Sequence, residues 1–235
     1  MKTYAVILAG GSGVRMGLGV PKQFVEVEGK PVIVYTLESF QRHPGIDSIV
    51  VVCKDGWQDT LAEFAESYGI SKLSMTVSGG ESSQESIRNG VFALEGVAQP
   101  DDIVVIHDGI RPLVDSEVLS DVLRVARENG NAVTSLPYNE QIFVIDEDDP
   151  LTTTRFIPRD TLRRVSTPQA YRFDLVLSAY KRAFEQGIGI GLSDYVNTMM
   201  VQLGETLYFA AGSDRNIKLT TPDDLAIFKA MLNRG

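Results

Sequence analysis

Short apolar runs alternate along the chain with stretches whose apolar residues recur every three or four positions. The runs at 4–8, 48–53, 74–77, 103–107 and 132–136 predict buried strands. Between them, 32–41, 58–68, 83–94 and 116–129 each carry one apolar stripe and predict amphipathic helices. Strands and helices that alternate in this way form a mostly parallel sheet with helices on both faces. The pattern continues with helices at 173–186 and 194–202, a strand at 206–210 and a closing helix at 222–233. Pro222 suits the first turn of that last helix, with Thr221 as its cap. The expected class is therefore α/β, with a Rossmann-like sheet.

One segment interrupts the alternation. Residues 139–164 are polar and hold Asp146-Glu147-Asp148-Asp149-Pro150, three threonines from Thr152 to Thr154, and Arg155, Arg159, Arg163 and Arg164. Long irregular excursions from a compact fold are usually functional or disordered. We expect a protruding arm here, with an antiparallel ribbon as its simplest form, that reaches a second subunit. Residues 1–235 are expected to form one domain, with 139–164 as an excursion from it.

The first strand runs into Leu8-Ala9-Gly10-Gly11-Ser12-Gly13-Val14-Arg15-Met16-Gly17, and Pro21-Lys22 follows. Glycines let the backbone approach a ligand closely and offer N–H donors to anionic oxygens. Arg15 and Lys22 on the same loop can neutralise a polyphosphate and the charge that grows as one phosphate leaves. The dinucleotide fingerprint fits less well, because Met16 stands where its third glycine belongs. The Walker loop fits less well too, since Gly29-Lys30 runs into Pro31. A tight strand-to-helix turn with no ligand is the other reading of this stretch.

Composition narrows the choices. A net charge of −9 argues against a general nucleic-acid binder, which would show a basic face. A small anionic ligand remains allowed, because local cations dominate inside a closed site. The lone Cys53 lies in an apolar run and is expected to be a reduced core residue. No run approaches the ~18 apolar residues of a membrane span, and no secretory leader is evident. A soluble, cytoplasmic protein without membrane or nucleic-acid partners is expected. Gly79-Gly80 and His107-Asp108 fall, like the glycine turn, at the carboxyl ends of strands, where ligands bind in such sheets.

Four spaced motifs add a resemblance. They are the glycine turn with Pro21-Lys22-Gln23, His107-Asp108-Gly109-Ile110-Arg111-Pro112, Thr167-Pro168-Gln169, and Asn216-Ile217-Lys218-Leu219-Thr220 with Pro222-Asp223-Asp224-Leu225. In this order, over nearly the whole length, the chain resembles the cytidylyltransferases that act on methylerythritol 4-phosphate and on ribitol 5-phosphate. The resemblance implies a nucleotidyltransferase sheet with a dimerising arm, and a reaction of CTP with an alditol phosphate to give CDP-alditol and pyrophosphate. It implies catalytic roles for Arg15, Lys22 and Lys218. It places the nucleotide against Leu8, Ala9, Gly10, Gly11, Gly80, Glu81, Ser86 and Asp108. The acceptor falls to Arg111, Gln141, Arg159 and Thr167, with Arg159 supplied by the partner of a homodimer that shares its sites. Magnesium is the implied cofactor, held mainly by phosphate oxygens and water, with Asp108 as its protein ligand.

The motif pattern departs from that family in three places. Leu136-Pro137-Tyr138-Asn139 leads into Glu140-Gln141 where the family has Asp-Thr, Ser193-Asp194-Tyr195 replaces Thr-Asp-Asp or Thr-Asp-Glu, and Ser83 stands where an Arg precedes Gln84. The first two bear on the acceptor and weaken methylerythritol phosphate more than ribitol phosphate. The competing readings are the isoprenoid-pathway enzyme, a sugar-1-phosphate transferase using UTP or dTTP, and a non-catalytic nucleotide sensor. A sensor would have no need of cations that stabilise a leaving pyrophosphate.

Overall fold

The computed structural model describes residues 1–11, 19–191 and 195–233. The elements run β1 (Thr3–Ala9), β2 (Glu26–Val27), β3 (Lys30–Pro31), α1 (Val32–Arg42), β4 (Ser48–Cys53), α2 (Gln58–Ser67), β5 (Leu73–Ser78), α3 (Ser83–Phe92) and β6 (Ile103–Asp108). They continue with α4 (Ser116–Asn129), β7 (Asn131–Pro137), β8 (Ile142–Val144), β9 (Arg155–Ile157), β10 (Arg163–Arg172), α5 (Phe173–Gln186), α6 (Val196–Gln202), β11 (Phe209–Ala211) and α7 (Pro222–Leu232). Seven strands form the main sheet in the order β11-β7-β10-β6-β1-β4-β5. β1 pairs in parallel with both β4 and β6, and β5 continues the parallel part beyond β4.

Alternation along the strands divides the core between two faces. Ala5, Ile7 and Ala9 of β1 join Val51 and Cys53 on the face covered by α1, α2 and α4. Tyr4 and Val6 join Val50 and Val52 on the face covered by α3, α5 and α6. Cys53 is fully buried as expected, and burial pushes its thiol up to about 11. A smaller cluster of Val27, Val32, Ile110, Leu219 and Phe228 seats the chain's last segment against the start of α1. Trp57, just before α2, stacks on Phe24 with ring centroids 4.6 Å apart.

The main difference from the sequence pattern is β10, a ten-residue strand that the polar run Arg163-Arg164-Val165-Ser166-Thr167-Pro168 hid. A proline within a run argues against a central strand, because it cannot donate to a ladder. Here β10 is antiparallel to both β6 and β7, and its register shifts between Ser166 and Gln169, around that proline. The β2–β3 hairpin and the short helical turn Lys22–Phe24 also carried no periodic signal. Within 139–164, β8 and β9 form an antiparallel ribbon apart from the main sheet, with Phe143 opposite Phe156. Among the described residues no helix is long and apolar enough to cross a membrane.

The contact between α3 and the sheet yields a stability prediction. A Cβ on Gly90 would lie 2.5 Å from Val6 Cγ1 and 2.8 Å from Val52 Cγ2, both on fully buried side chains. Helix propensity favours alanine by ~1 kcal/mol, but overpacking of this kind costs ~1–3 kcal/mol. Gly90→Ala is therefore expected to lower the urea midpoint. A raised midpoint would contradict this packing.

Candidate active site

A cavity of about 750 Å³ opens at the carboxyl ends of the parallel strands. Leu8, Ala9, Gly10 and Gly11 enter it from the end of β1, and Lys22 and Gln23 from the helical turn that follows. Gly80, Glu81 and Ser86 line it from the β5–α3 connection, Asp108 and Arg111 from the end of β6, Thr167 from β10, and Lys218 from the segment before α7. The fold thus brings together residues 210 positions apart in the chain. Arg15 lies outside the described residues, as do Ser193 and Asp194. Gln141 and Arg159 are not among the residues that line this chain's cavity. Gln141 is exposed, and Arg159 donates from Nη1 to the Asn139 carbonyl at 3.2 Å.

The nucleotide side is built for close approach. Gly10 and Gly79 face each other so tightly that a Cβ on either would lie 3.4 Å from the other's Cα. A Cβ on Gly80 would come within 2.3 Å of Glu85 Cβ, so a side chain there would displace the start of α3. The Gly80 N–H donates to Ser86 Oγ at 2.9 Å. Ser82 caps α3 by accepting from the Glu85 N–H at 3.1 Å, and Glu85 Oε2 accepts in return from the Ser82 N–H at 3.4 Å and also from the Glu81 N–H at 2.7 Å. This reciprocal cap holds the Gly80–Ser86 wall in place.

The other wall is an ionic cluster. Arg111 Nε donates to Asp108 Oδ2 at 2.9 Å, and Lys218 Nζ donates to Asp108 Oδ1 at 3.2 Å. The Thr167 hydroxyl accepts from the Asp108 N–H at 3.1 Å and donates to Oδ2 at 3.3 Å. Arg111 Nη1 reaches the Asn216 carbonyl at 2.7 Å, and Asn216 Nδ2 reaches the Thr167 carbonyl at 2.6 Å. Burial alone would raise the Asp108 carboxyl, but Lys218 and Arg111 outweigh it and hold the group down to about 2. The carboxylate is therefore ionised throughout the neutral range, and two cations share one anion at the cavity wall.

His107 stands behind this cluster, fully buried. Its Nε2–H donates to the Arg111 carbonyl at 3.1 Å, which leaves Nδ1 as an acceptor without a partner among the described residues. Burial lowers its pKa to about 4. The site residues drawn from the motifs leave out several that line the cavity. Lys54, directly after β4, makes no hydrogen bond or ion pair through its side chain among the described residues, yet lines the cavity. Ser83, Gln169 and Tyr195 line it too. Gln84 does not, because its side chain is spent inside: Nε2 donates to the Gly189 carbonyl at 2.6 Å, and Oε1 accepts from the Tyr180 hydroxyl at 2.8 Å. Only the position of Lys54 at a strand's carboxyl end could have marked it in the sequence.

The buried histidine makes stability depend on pH. In the unfolded chain His107 takes up a proton near pH 6.5, whereas in the fold it stays neutral down to about pH 4. Between these values the unfolded state binds more protons, so stability falls as pH falls, by about 3 kcal/mol across the window. His43, whose pKa burial also lowers, acts in the same direction. Below that, loss of the Asp108 charge continues the decline toward pH 2. Urea unfolding with EDTA present should show this slope, and His107→Gln should flatten it between pH 6.5 and 4.5. An unchanged slope in the variant would rule His107 out as its source.

Comparisons with known proteins agree with this geometry. The family described as IspD: 2-C-methyl-D-erythritol 4-phosphate cytidylyltransferase matches residues 3–234. A ribitol-5-phosphate cytidylyltransferase of Lacticaseibacillus paracasei is 60% identical over 228 residues, which cover 97% of each chain. A 2-C-methyl-D-erythritol 4-phosphate cytidylyltransferase of Geobacter metallireducens is 35% identical over 233 residues, 99% of this chain and 98% of the relative. The crystal structure of 4-diphosphocytidyl-2C-methyl-D-erythritol synthase from Anaerococcus prevotii superposes with a TM-score of 0.82 at 25% identity, covering 99% of this chain and 96% of that one. A match along nearly the whole length to both the sequences and the fold places this chain in the IspD family of cytidylyltransferases.

Proposed function

We propose that this cytidylyltransferase converts CTP and ribitol 5-phosphate to CDP-ribitol and pyrophosphate. The observation that carries the nucleotidyl-transfer chemistry is the pairing of a glycine turn and Lys22 with Lys218 and Arg111 across one cavity. The acceptor rests on the ribitol-5-phosphate enzyme at 60% identity, supported by the departures at Gln141 and Tyr195. In the reaction an oxygen of the acceptor phosphate attacks the α-phosphorus of CTP. A new P–O bond forms as the bond to the β-phosphate breaks, and pyrophosphate leaves. The attacking oxygen is already anionic, so no general base is required, and positioning with charge neutralisation supplies the catalysis.

In this reading Lys22 and Arg15 serve the triphosphate and its leaving group. Lys218 approaches the reacting phosphate, and Arg111 and Thr167 hold the acceptor. Leu8, Ala9, Gly10, Gly11, Gly80, Glu81 and Ser86 frame the cytidine. Bound magnesium would add positive charge to the phosphate oxygens. Among the described residues no three His, Cys, Asp or Glu side chains gather as a cage. Among the described residues Asp108 Oδ2 accepts two hydrogen bonds and Oδ1 one, which leaves one lone pair of Oδ1. A single carboxylate with a free lone pair fits an ion carried mainly by phosphate and water.

We also propose that the active unit is a homodimer whose β8–β9 ribbons cross. The ribbon exposes Phe143, Phe156 and Ile145 at 57%, 68% and 62%, and an isolated two-stranded ribbon is marginal in water. Gln141 and Arg159 stand on or beside it, away from their own cavity, and would act in the partner's. Two-fold exchange is the simplest closed arrangement.

Three assays test these readings. Pyrophosphate release with CTP should be faster with ribitol 5-phosphate than with methylerythritol 4-phosphate, and much faster than with ATP or GTP; a preference for methylerythritol 4-phosphate would reverse the acceptor assignment. Lys22→Ala should lower kcat by ~100-fold or more while changing the KM for CTP far less. Near-normal turnover would remove Lys22 from the mechanism. Mixing inactive Arg159→Ala and Lys22→Ala subunits should restore about a quarter of wild-type activity under random exchange of a two-fold dimer. No recovery despite proven exchange would rule out shared sites.

A further inference from the structure

Gln23 is 1% exposed, and its side chain meets the backbone where β1 ends. Its Nε2 donates to the Ala9 carbonyl at 2.6 Å and to the Gly11 carbonyl at 3.0 Å. The Ala9 carbonyl also accepts from the Lys54 N–H at 3.2 Å, so it is held from two sides. A trans peptide is planar, with its C=O and N–H pointing in opposite directions. With the Ala9 carbonyl turned toward Gln23, the Gly10 N–H must point the other way. Among the described residues that N–H meets no acceptor, and Gly10 lines the cavity.

The base of this clasp is rigid. Gln23 sits in the helical turn Lys22–Phe24, closed by the Phe24 N–H on the Pro21 carbonyl at 2.8 Å. Phe24 is buried and stacks on Trp57, which fixes the turn from below. Lys22 is the neighbouring residue on the same turn. A primary amide carries two hydrogens on one nitrogen and can therefore serve both carbonyls at once. A carboxylate of the same shape would set lone pairs against lone pairs, and an aliphatic side chain would leave the Gly11 carbonyl without its side-chain donor.

We propose that Gln23 is a positioning residue for nucleotidyl transfer: its amide holds the Ala9 and Gly11 carbonyls back, aims the Gly10 N–H at a phosphate oxygen of the nucleotide, and locks that donor to the turn that carries Lys22. This rests on the reading of the cavity as the CTP site. Misplacing a donor by about an ångström can cost ~100-fold in rate, so Gln23→Leu should lower kcat between about tenfold and 100-fold and weaken CTP binding about tenfold. The KM for the acceptor should move less than about twofold.

The decisive readout is a double-mutant cycle with Lys22→Ala. If Gln23 acts through the same donor set, the double variant should be no more than about threefold slower than Lys22→Ala alone, because coupled residues are not additive. A merely structural role would multiply the two losses. Gln23→Met, unbranched and without donors, serves the same comparison should the leucine variant fail to fold, and thermal unfolding of each variant checks the fold. Wild-type CTP binding without turnover on any alditol phosphate would fault the acceptor assignment and leave the binding comparison intact. Wild-type CTP affinity and kcat in Gln23→Leu, or losses that multiply in the cycle, would overturn the role of Gln23.

Discussion

The site depends on one carboxylate. Asp108 holds Arg111 on one oxygen and Lys218 on the other, at a wall where its side chain is 16% exposed. Two cations brought that close would repel each other, and the shared anion removes that cost. It also leaves a net positive charge facing the cavity, which a phosphate can meet. Removing Asp108 would leave its two cations facing each other without their shared counter-charge. The same interaction therefore closes the fold around β6 and prepares a place for an anion.

The cluster is possible because the core delivers its members to one point. Asp108 ends β6, in the middle of the sheet, next to β1. Lys218 arrives from the far end of the chain, and its neighbour Leu219 is buried and donates to the Ile110 carbonyl at 2.9 Å. Phe228 of α7 packs edge-on against Tyr35 with ring centroids 5.1 Å apart, which anchors the segment that Leu219 begins. Thr167 comes from β10, the antiparallel strand beside β6, and is tied back through Asn216. Hydrophobic burial away from the cavity thus sets the distances within it, and the hydrogen bonds fix directions.

The parallel part of the sheet was legible because β1, β4 and β6 are apolar runs and β5 alternates apolar with polar residues, with amphipathic stripes between them. Leu8, Ala9, Gly10 and Gly11 at the start of the glycine turn, Gly80 at a strand end, and Asp108, Arg111, Thr167 and Lys218 within motifs were legible in the sequence, and all line one cavity. β10 was not, since its arginines and Pro168 suppress the alternation that marks a strand, and its pairing is decided by β6 and β7 rather than by its own residues. Lys54 escaped, and Gln23, though it stands in the first motif, received no role, for a different reason. A lysine after a strand, or a glutamine after a lysine, is ordinary in sequence: Lys54 acquires meaning from the cavity it lines, and Gln23 from the two carbonyls its amide reaches. Gln141 and Arg159 show the limit from the other side, because neither lines this chain's cavity.

The two histidines make the same chemical point as the cations. Both are buried, and both are committed to structural partners: His43 to Ser120 and the Gly45 N–H, His107 to the Arg111 carbonyl. Neither lines the cavity, and His107 is kept neutral by burial. The described lining offers cations, hydroxyls and amide groups together with two carboxylates: Asp108, engaged by Lys218 and Arg111, and Glu81 on the Gly80–Ser86 wall. The cations in this set suit a nucleophile that arrives already charged, as a phosphate does. They also reconcile a protein of net charge −9 with anionic substrates, because a local field between low-dielectric walls outweighs distant surface charge screened by salt. The chain therefore works by holding charge in place, and the groups that hold the cations and amides still are as much a part of the chemistry as those that meet the phosphates.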